Sequence, residues 1–442
     1  MPTPIYQRPA ELLQNLIRFN TTNPPGHEVE CVRYIKGLLD EAGIESTLIA
    51  KDPNRPNLIA RIPSRGDAAP LLLYGHVDVV TTESQNWTHP PFEAEIHDGY
   101  IWGRGALDMK GPDAMLIAAF LRAHAESANL PGDVILCIVV DEEAGGEFGA
   151  EFLIQEHPDL FKGVRYALGE FGGFTLHIGG KHLYTIQVIE KQICSVKATL
   201  RGPAGHGSLT HRGRGTATAK LAKMLDILEH KSLPVHITPA ARVMFGALAD
   251  TLGFPSSLLI RQLLNPALTD RILPLMSESA STFDPLLHNT VNATIIQGGD
   301  KINVIPSEIT VKLDGRLLPG QTPDDMLREL RQLLGPDIEW EVFDFDPGPP
   351  EPDMSFFDTL ADILKRADPT GTPIPLMLGG VTDARFFSQL GIQSYGFTPM
   401  QLPPDFNFPA VIHAADERIP VEAVAWGADR IYEALLRFGE VS

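Results

Sequence analysis

Cysteine is scarce in this chain: three residues, Cys31, Cys137 and Cys194, with no CxxC spacing among them. An odd, scattered set disfavours a disulfide framework and a thiolate zinc site, and fits a reducing cytoplasm. Long runs of Lys and Arg are also missing, and the formal net charge is −20. Nucleic acid is excluded as a main partner, because neutralising phosphates takes a basic stripe. No uninterrupted apolar stretch of about eighteen residues occurs, so no membrane span is expected. The opening segment, Met1 to Phe19, shows neither the basic start nor the continuous apolar core of a signal peptide.

What remains is an ordinary globular composition, with 43% hydrophobic and 21% charged residues. A length of 442 residues exceeds a single ordinary core and accommodates two domains. The acidic balance does not bar a small anionic substrate, since a local arginine or metal outweighs a distant field. Part of the carboxylate excess is available to hold metal.

Periodicity divides the chain. Helical spacing marks residues 9–19 and 27–43, and β-rich runs follow at 45–50, 57–62 and 71–75. A helix over 110–127 precedes the apolar run Val134 to Val140, the pattern of a strand buried on both faces. Strand and helix signals alternate through the first 170 residues or so, which predicts an α/β layer architecture. Alternating segments at 182–190, 193–201, 291–297 and 308–316 predict a smaller antiparallel sheet, with helices at 214–230 and 322–335 packed on it. Residues 236–290, rich in Pro, Leu and Ser, read as an insertion with helical patches. The Pro-rich break from Asp346 to Asp353 marks the return to α/β patterning, with helices near 354–367 and 420–438. The expected division is a discontinuous domain of 1–184 and 348–442 and an inserted domain of 185–347.

Chemistry-bearing residues gather at strand ends, where open α/β sheets build their sites. In Gly75-His76-Val77-Asp78, His76 offers an imidazole to a metal. Asp78, on the same side of an extended chain, is placed to accept the other ring N–H. In GRGALDMKG, from Gly103 to Gly111, Asp108 precedes a helix, and its two oxygens suit a bridge between two cations. Asp141-Glu142-Glu143 closes the apolar strand; adjacent side chains of an extended segment point opposite ways, so one glutamate can ligate while its neighbour faces water. Glu170 ends another apolar run, and His413 follows Ala410-Val411-Ile412. Each has a bland alternative: a structural histidine, an Asp helix cap, a solvated acidic turn. Two histidines and three carboxylates together make two mixed N/O sites that suit Zn²⁺ rather than Ca²⁺. The arrangement places His76 and Glu170 on one ion and Glu143 and His413 on the other. Asp108 bridges them, and Glu142 is left free as a base.

With these motifs the chain resembles the dizinc amidohydrolases that include acetylornithine deacetylase, succinyl-diaminopimelate desuccinylase, aminoacylase and glutamate carboxypeptidase. GHVDVV, GRGALDMKG and DEEAGG stand in that family's order, and the resemblance covers essentially the whole chain. It implies an α/β fold: a zinc-peptidase-like catalytic domain with a mixed sheet flanked by helices, plus an inserted α+β lid. It also implies two Zn²⁺ (Co²⁺ or Mn²⁺ can occupy such sites) on His76, Asp108, Glu143, Glu170 and His413. Asp78 would orient His76, and Glu142 would be the general base.

The lid motif Gly202 to Ser208 implies that His206 stabilises the oxyanion. The segment Gly298 to Pro306 is similar to the family's asparagine segment, which implies Asn303 at the substrate; Arg316 falls where relatives bind a carboxylate, and Gly379, Gly380 and Thr382 lie in a stretch that resembles the family's pocket-lining loop. The insertion at 236–290 departs from the compact dimerising lid and resembles the carboxypeptidase S and fatty-acyl-amino-acid hydrolase branch. Whether the chain forms a homodimer, and whether His206 acts within its own chain, stay open. The implied activity is cleavage of an amide bond in short peptides or N-acyl amino acids with a free carboxylate, carboxypeptidase-like or, alternatively, aminoacylase-like. A catalytically inactive metal-dependent binding protein is the alternative of another class.

Overall fold

The computed structural model describes residues 3–276 and 282–440, and the chain forms two compact units. One comprises Met1–Val188, Pro352–Leu376 and Thr382–Ser442; the other comprises Ile189–Glu351 and Met377–Val381.

The first unit opens with helices α1 (Pro9–Ile17) and α2 (Val29–Glu41), then strands β1 (Ser46–Ile49), β2 (Asn57–Ile62) and β3 (Leu71–His76). A small hairpin of β4 (Ile96–His97) and β5 (Tyr100–Trp102) leads to α3 (Lys110–Ala125) and β6 (Val134–Val139). Then come α4 (Ala150–Glu156), β7 (Tyr166–Gly169), β8 (Thr175–Ile178) and β9 (Lys181–Glu190). All six residues of β3 and all six of β6 are buried, which is what their unbroken apolar sequence demands. Alternate residues Leu72, Tyr74, Ile135, Cys137 and Val139 pack with Ala150, Leu153, Phe386 and Phe387. Helix α3 packs against α1 and against the C-terminal helix described below. Gly75 lets α3 come close behind the end of β3, because a Cβ there would lie 2.1 Å from Asp113 Oδ1.

The second unit holds β10 (Gln192–Arg201), β11 (Gly205–His206), α5 (Ala217–His230), α6 (Pro239–Thr251), α7 (Ser256–Leu263) and α8 (Thr269–Ile272). It continues with β12 (Thr290–Gln297), β13 (Val304–Ile305), β14 (Glu308–Leu317), α9 (Pro323–Leu334) and β15 (Glu339–Phe345). Its antiparallel sheet runs in the order β12-β14-β10-β15. Val196, Ala198 and Leu200 of β10 meet Val311 and Leu313 of β14, Met224 of α5, and Met326 and Leu330 of α9 in one core. The insertion forms α6 to α8 as far as it is described; residues 277–281 lie outside the described residues.

Back in the first unit are α10 (Phe357–Ala367), β16 (Thr372–Leu378), α11 (Ala384–Ser388), β17 (Gln393–Gly396), α12 (Phe408–Val411), β18 (Arg418–Pro420) and α13 (Val421–Arg437). The large sheet runs β1-β2-β6-β3-β7-β17-β9-β16, with β8 paired to β9. It is mixed: β3 is parallel to β6 and β7, and β2 is antiparallel to β6. The segment near 182–190, expected in the small sheet, belongs to this large one as β9. Its residues Leu183 to Ile189 are continuously buried, so the apparent alternation is not a half-exposed face. The fourth strand of the small sheet is β15 instead.

Candidate metal centre

The ends of the parallel strands β3, β6 and β7 carry His76, the Asp141–Glu143 turn and Glu170, so residues far apart in sequence converge. His76 Nδ1 lies 3.0 Å from the backbone carbonyl of Asp78. A proton donated there leaves the Nε2 lone pair facing inward. Nε2 lies 3.2 Å from Asp108 Oδ1, 3.6 Å from Glu170 Oε2 and 4.0 Å from Glu142 Oε2. His413 Nε2 lies 2.7 Å from the other oxygen of Asp108 and 3.4 Å from Glu143 Oε1. Two triads capable of holding a metal result, His76–Asp108–Glu170 and Asp108–Glu143–His413, joined through one carboxylate.

The sequence expectation for Asp78 needs refinement. Its carboxylate Oδ1 is 3.5 Å from His76 Nδ1. Its oxygens also accept the backbone N–H groups of Glu142 (3.2 Å) and Glu143 (3.1 Å) and Asn23 Nδ2 (2.9 Å). Nor is the acidic triplet extended. Asp141 has φ 70° and Glu142–Ala144 form a 3-10 turn, so turn geometry, not strand alternation, separates Glu142 from Glu143. Left-handed backbone recurs in Phe171 (φ 65°), beside Glu170, and in His413 itself (φ 59°). Each such conformation costs about 1–3 kcal/mol and persists only where the surroundings enforce it.

Several supporting residues carried no motif of their own. Glu417 is fully buried and accepts the backbone N–H groups of Gly105, Leu107 and Asp108 as well as Arg104 Nη1, fixing the turn that presents Asp108. Asn23 joins Asp78 to Asp141, and Arg55 pairs with both Asp141 and Glu28. Asp383 is buried, with neither carboxylate oxygen hydrogen-bonded.

Electrostatics follow from this crowding. Burial pulls the His76 imidazole down, but Asp108, Asp78 and Glu170 outweigh it and hold it well above its ordinary range. His413 is raised to about 10, chiefly by its hydrogen bond to Asp108. Burial, with Asp108's charge added, pushes Glu143 to about 7, and burial beside Glu170 drives Glu142 well above the carboxylate range. Burial opposes ionisation of Asp108 too, yet two imidazoles hold its carboxyl low. Glu143 Oε1 is buried without a hydrogen bond. So dense a set of N and O donors suits divalent cations, whose charge relieves the carboxylate repulsion.

The comparisons agree with the geometry. Residues 72–437 match the model of peptidase family M20/M25/M40. The chain belongs to this family. Its members at hand include the probable carboxypeptidase S-like 2 of Dictyostelium discoideum, 27% identical over 80% of this chain and 68% of that one. Human N-fatty-acyl-amino acid synthase/hydrolase PM20D1 is 28% identical over 83% of this chain and 73% of its own. Mouse aminoacylase-1 is 25% identical over 96% and 93%. Among solved structures, the M20 metallo-carboxypeptidase Sso-CP2 of Sulfolobus solfataricus superposes with TM-score 0.68 at 19% identity, covering 98% of this chain and 99% of that one. The YXEP protein of Bacillus subtilis, described as a dinuclear metal-binding M20 peptidase, gives 0.63 at 16% identity, covering 100% and 99%. As an M20-family protein this chain is a metal-dependent amide hydrolase. No described helix is long and apolar enough to cross a membrane.

The remaining expected site residues have their own settings. In the second unit, β11 and β13 pair His206 with Val304, and Gly207 donates to the Asn303 carbonyl, which brings His206 and Asn303 onto neighbouring segments. His206 is exposed, its Nδ1 2.8 Å from Ser208 Oγ. Arg316 on β14 holds Asp314 through Nε (2.7 Å) and Nη2 (3.2 Å). Gly379 and Gly380 follow β16, and a Cβ on Gly379 would meet Leu286 and Pro285. Thr382, in the first unit, caps the start of α11 through Oγ1, which accepts from Ala384 N.

Proposed function

We propose that this chain uses two divalent cations, Zn²⁺ in the first instance, to cleave an amide bond next to a free carboxylate in short peptides or N-acyl amino acids. The observation that carries this is Asp108: one carboxylate takes an imidazole on each oxygen and belongs to both triads. In this reading His76 and Glu170 hold one cation, Glu143 and His413 hold the other, and Asp108 bridges. Bound there, such a pair polarises a carbonyl and acidifies a water.

The chain's own residues do the rest. Glu142 takes the proton of the attacking water and returns it to the leaving amine, a role suited to a carboxyl raised by burial. Asp78 fixes the turn that carries Glu142 and Glu143. His206 donates to the oxyanion, and Arg316 with Asn303, Gly379, Gly380 and Thr382 recognises the substrate. Guanidinium geometry matches a carboxylate; this use draws on donors beyond the two engaged with Asp314. The unit of Met1–Val188, Pro352–Leu376 and Thr382–Ser442 serves as the catalytic domain, and that of Ile189–Glu351 and Met377–Val381 as the lid. Three free, buried cysteines favour a cytoplasmic setting. Turnover of a series of dipeptides and N-acyl amino acids, each as free acid and as carboxamide, tests the reading. Most activity should vanish on amidation, and equal turnover of the two forms contradicts it.

A further inference from the structure

A further cluster of metal-capable side chains lies outside the centre and shares no residue with it. His89, Glu95 and His97 bring one ligand atom each to within 4.8 Å of one another. Glu95 and His97 are two apart along the strand that becomes β4, so their side chains fall on one face. The β4–β5 pairing holds that face through Ile96↔Ile101 and His97↔Tyr100, and Trp102 Nε1 donates to the His97 carbonyl.

His89 arrives from the preceding loop and is positioned on two sides. Its ring stacks on His97 with centroids 3.9 Å apart and planes 12° apart, and meets Trp102 edge-on at 4.7 Å. Its neighbour Thr88 is pinned to Asp416 through both N and Oγ1 at 2.7 Å. Both imidazoles address one atom: Glu95 Oε2 is 2.8 Å from His97 Nε2 and 3.4 Å from His89 Nδ1.

A divalent cation among the three ligand atoms engages both nitrogens and the oxygen at once when one ring turns out of the stack to bring its in-plane lone pair onto the ion. The donor set is N₂O from three side chains held by a hairpin and an anchored loop. All three are part-exposed, at 22%, 45% and 42%, so open coordination positions face water.

We propose that His89, Glu95 and His97 form a separate mononuclear site for a divalent transition metal of the Zn²⁺ class. It lies outside the hydrolytic centre, and its occupancy does not depend on the roles assigned there. It braces the hairpin and the loop carrying Thr88.

The test compares metal per chain between proteins, so it stands whatever number the centre itself holds. Wild type, His89→Ala, His97→Ala and the near-isosteric Glu95→Gln are brought to equilibrium with the same free Zn²⁺ by dialysis. Bound zinc is then measured by mass spectrometry. Each histidine variant should bind one equivalent fewer than wild type while retaining turnover. Glu95→Gln, whose fold is least at risk, should shift the extra equivalent to higher free zinc by about tenfold or more. Equal zinc in wild type, Glu95→Gln and both histidine variants overturns the proposal.

Discussion

Asp78 shows how one carboxylate reaches chemistry it does not perform. Its two oxygens accept the backbone N–H groups of Glu142 and Glu143 and the amide of Asn23, all in a buried setting. Removing it leaves those donors unpaired and frees the turn that carries both a base and a ligand. Asp78→Ala should therefore weaken metal binding by about 10–100-fold, the range for residues that orient ligands. Equilibrium titration with Zn²⁺ measures this, and an unchanged affinity shows that the turn is held by something else. The ligand-type residues were legible because each sits in a short motif at the end of an apolar run. Asn23, Arg55 and Glu417 were not: their role lies in where the fold sends a polar side chain, and their neighbours in sequence give no pattern. Asp78 stands beside its expected partner, 3.5 Å from His76 Nδ1, and has further partners that the spacing does not reveal. The spacing places it beside His76, but the left-handed Asp141 turns two backbone N–H groups toward it.

Among elements, the long buried strands β2, β3 and β6 and helices α1, α2, α3, α5 and α13 were readable, because length and periodicity speak for themselves. Short strands such as β8, β17 and the β4–β5 hairpin were not, since so few residues carry little period; the equally short β1 was legible as the β-rich run at 45–50. Strand β9 was found but assigned to the wrong sheet, as alternation along a strand says little about which partners cover it. Helix α9 is specified locally: Thr322 caps it and the Asp325 carboxylate accepts from the Thr322 N–H, with Pro at the first turn. Thr322→Ala should cost about 1 kcal/mol, the usual worth of such a cap. The Asp325 carboxyl is held below its ordinary value, first by Thr322. A folded pKa below the unfolded one contributes stability at neutral pH that is lost as pH falls through the carboxylate range. The effect of Thr322→Ala should thus shrink in acid. Thermal unfolding of both proteins at neutral and acid pH checks it, and a penalty that grows in acid contradicts the cap's assignment.

For the whole molecule, the excess of acid over base is one of distribution. The net charge is −20, yet Asp78, Asp108, Asp113, Asp383 and Glu170 are buried, in the unit that carries the two triads. Buried carboxylates at this density are stable only with protons or cations among them, which makes metal part of the account of the fold as well as of the activity. The family membership settles the reaction class; the sharing of Asp108 between two triads is what this chain adds. Metal content and turnover of wild type, Asp108→Ala and Glu142→Gln, prepared alike without chelator and loaded with Zn²⁺, test that sharing most directly. Relative to wild type, Glu142→Gln should keep its metal and lose about 10²–10⁴-fold in turnover, as expected for a general base. Asp108→Ala should lose metal from both triads together. An Asp108→Ala protein that retains the full metal complement would contradict the shared-carboxylate centre.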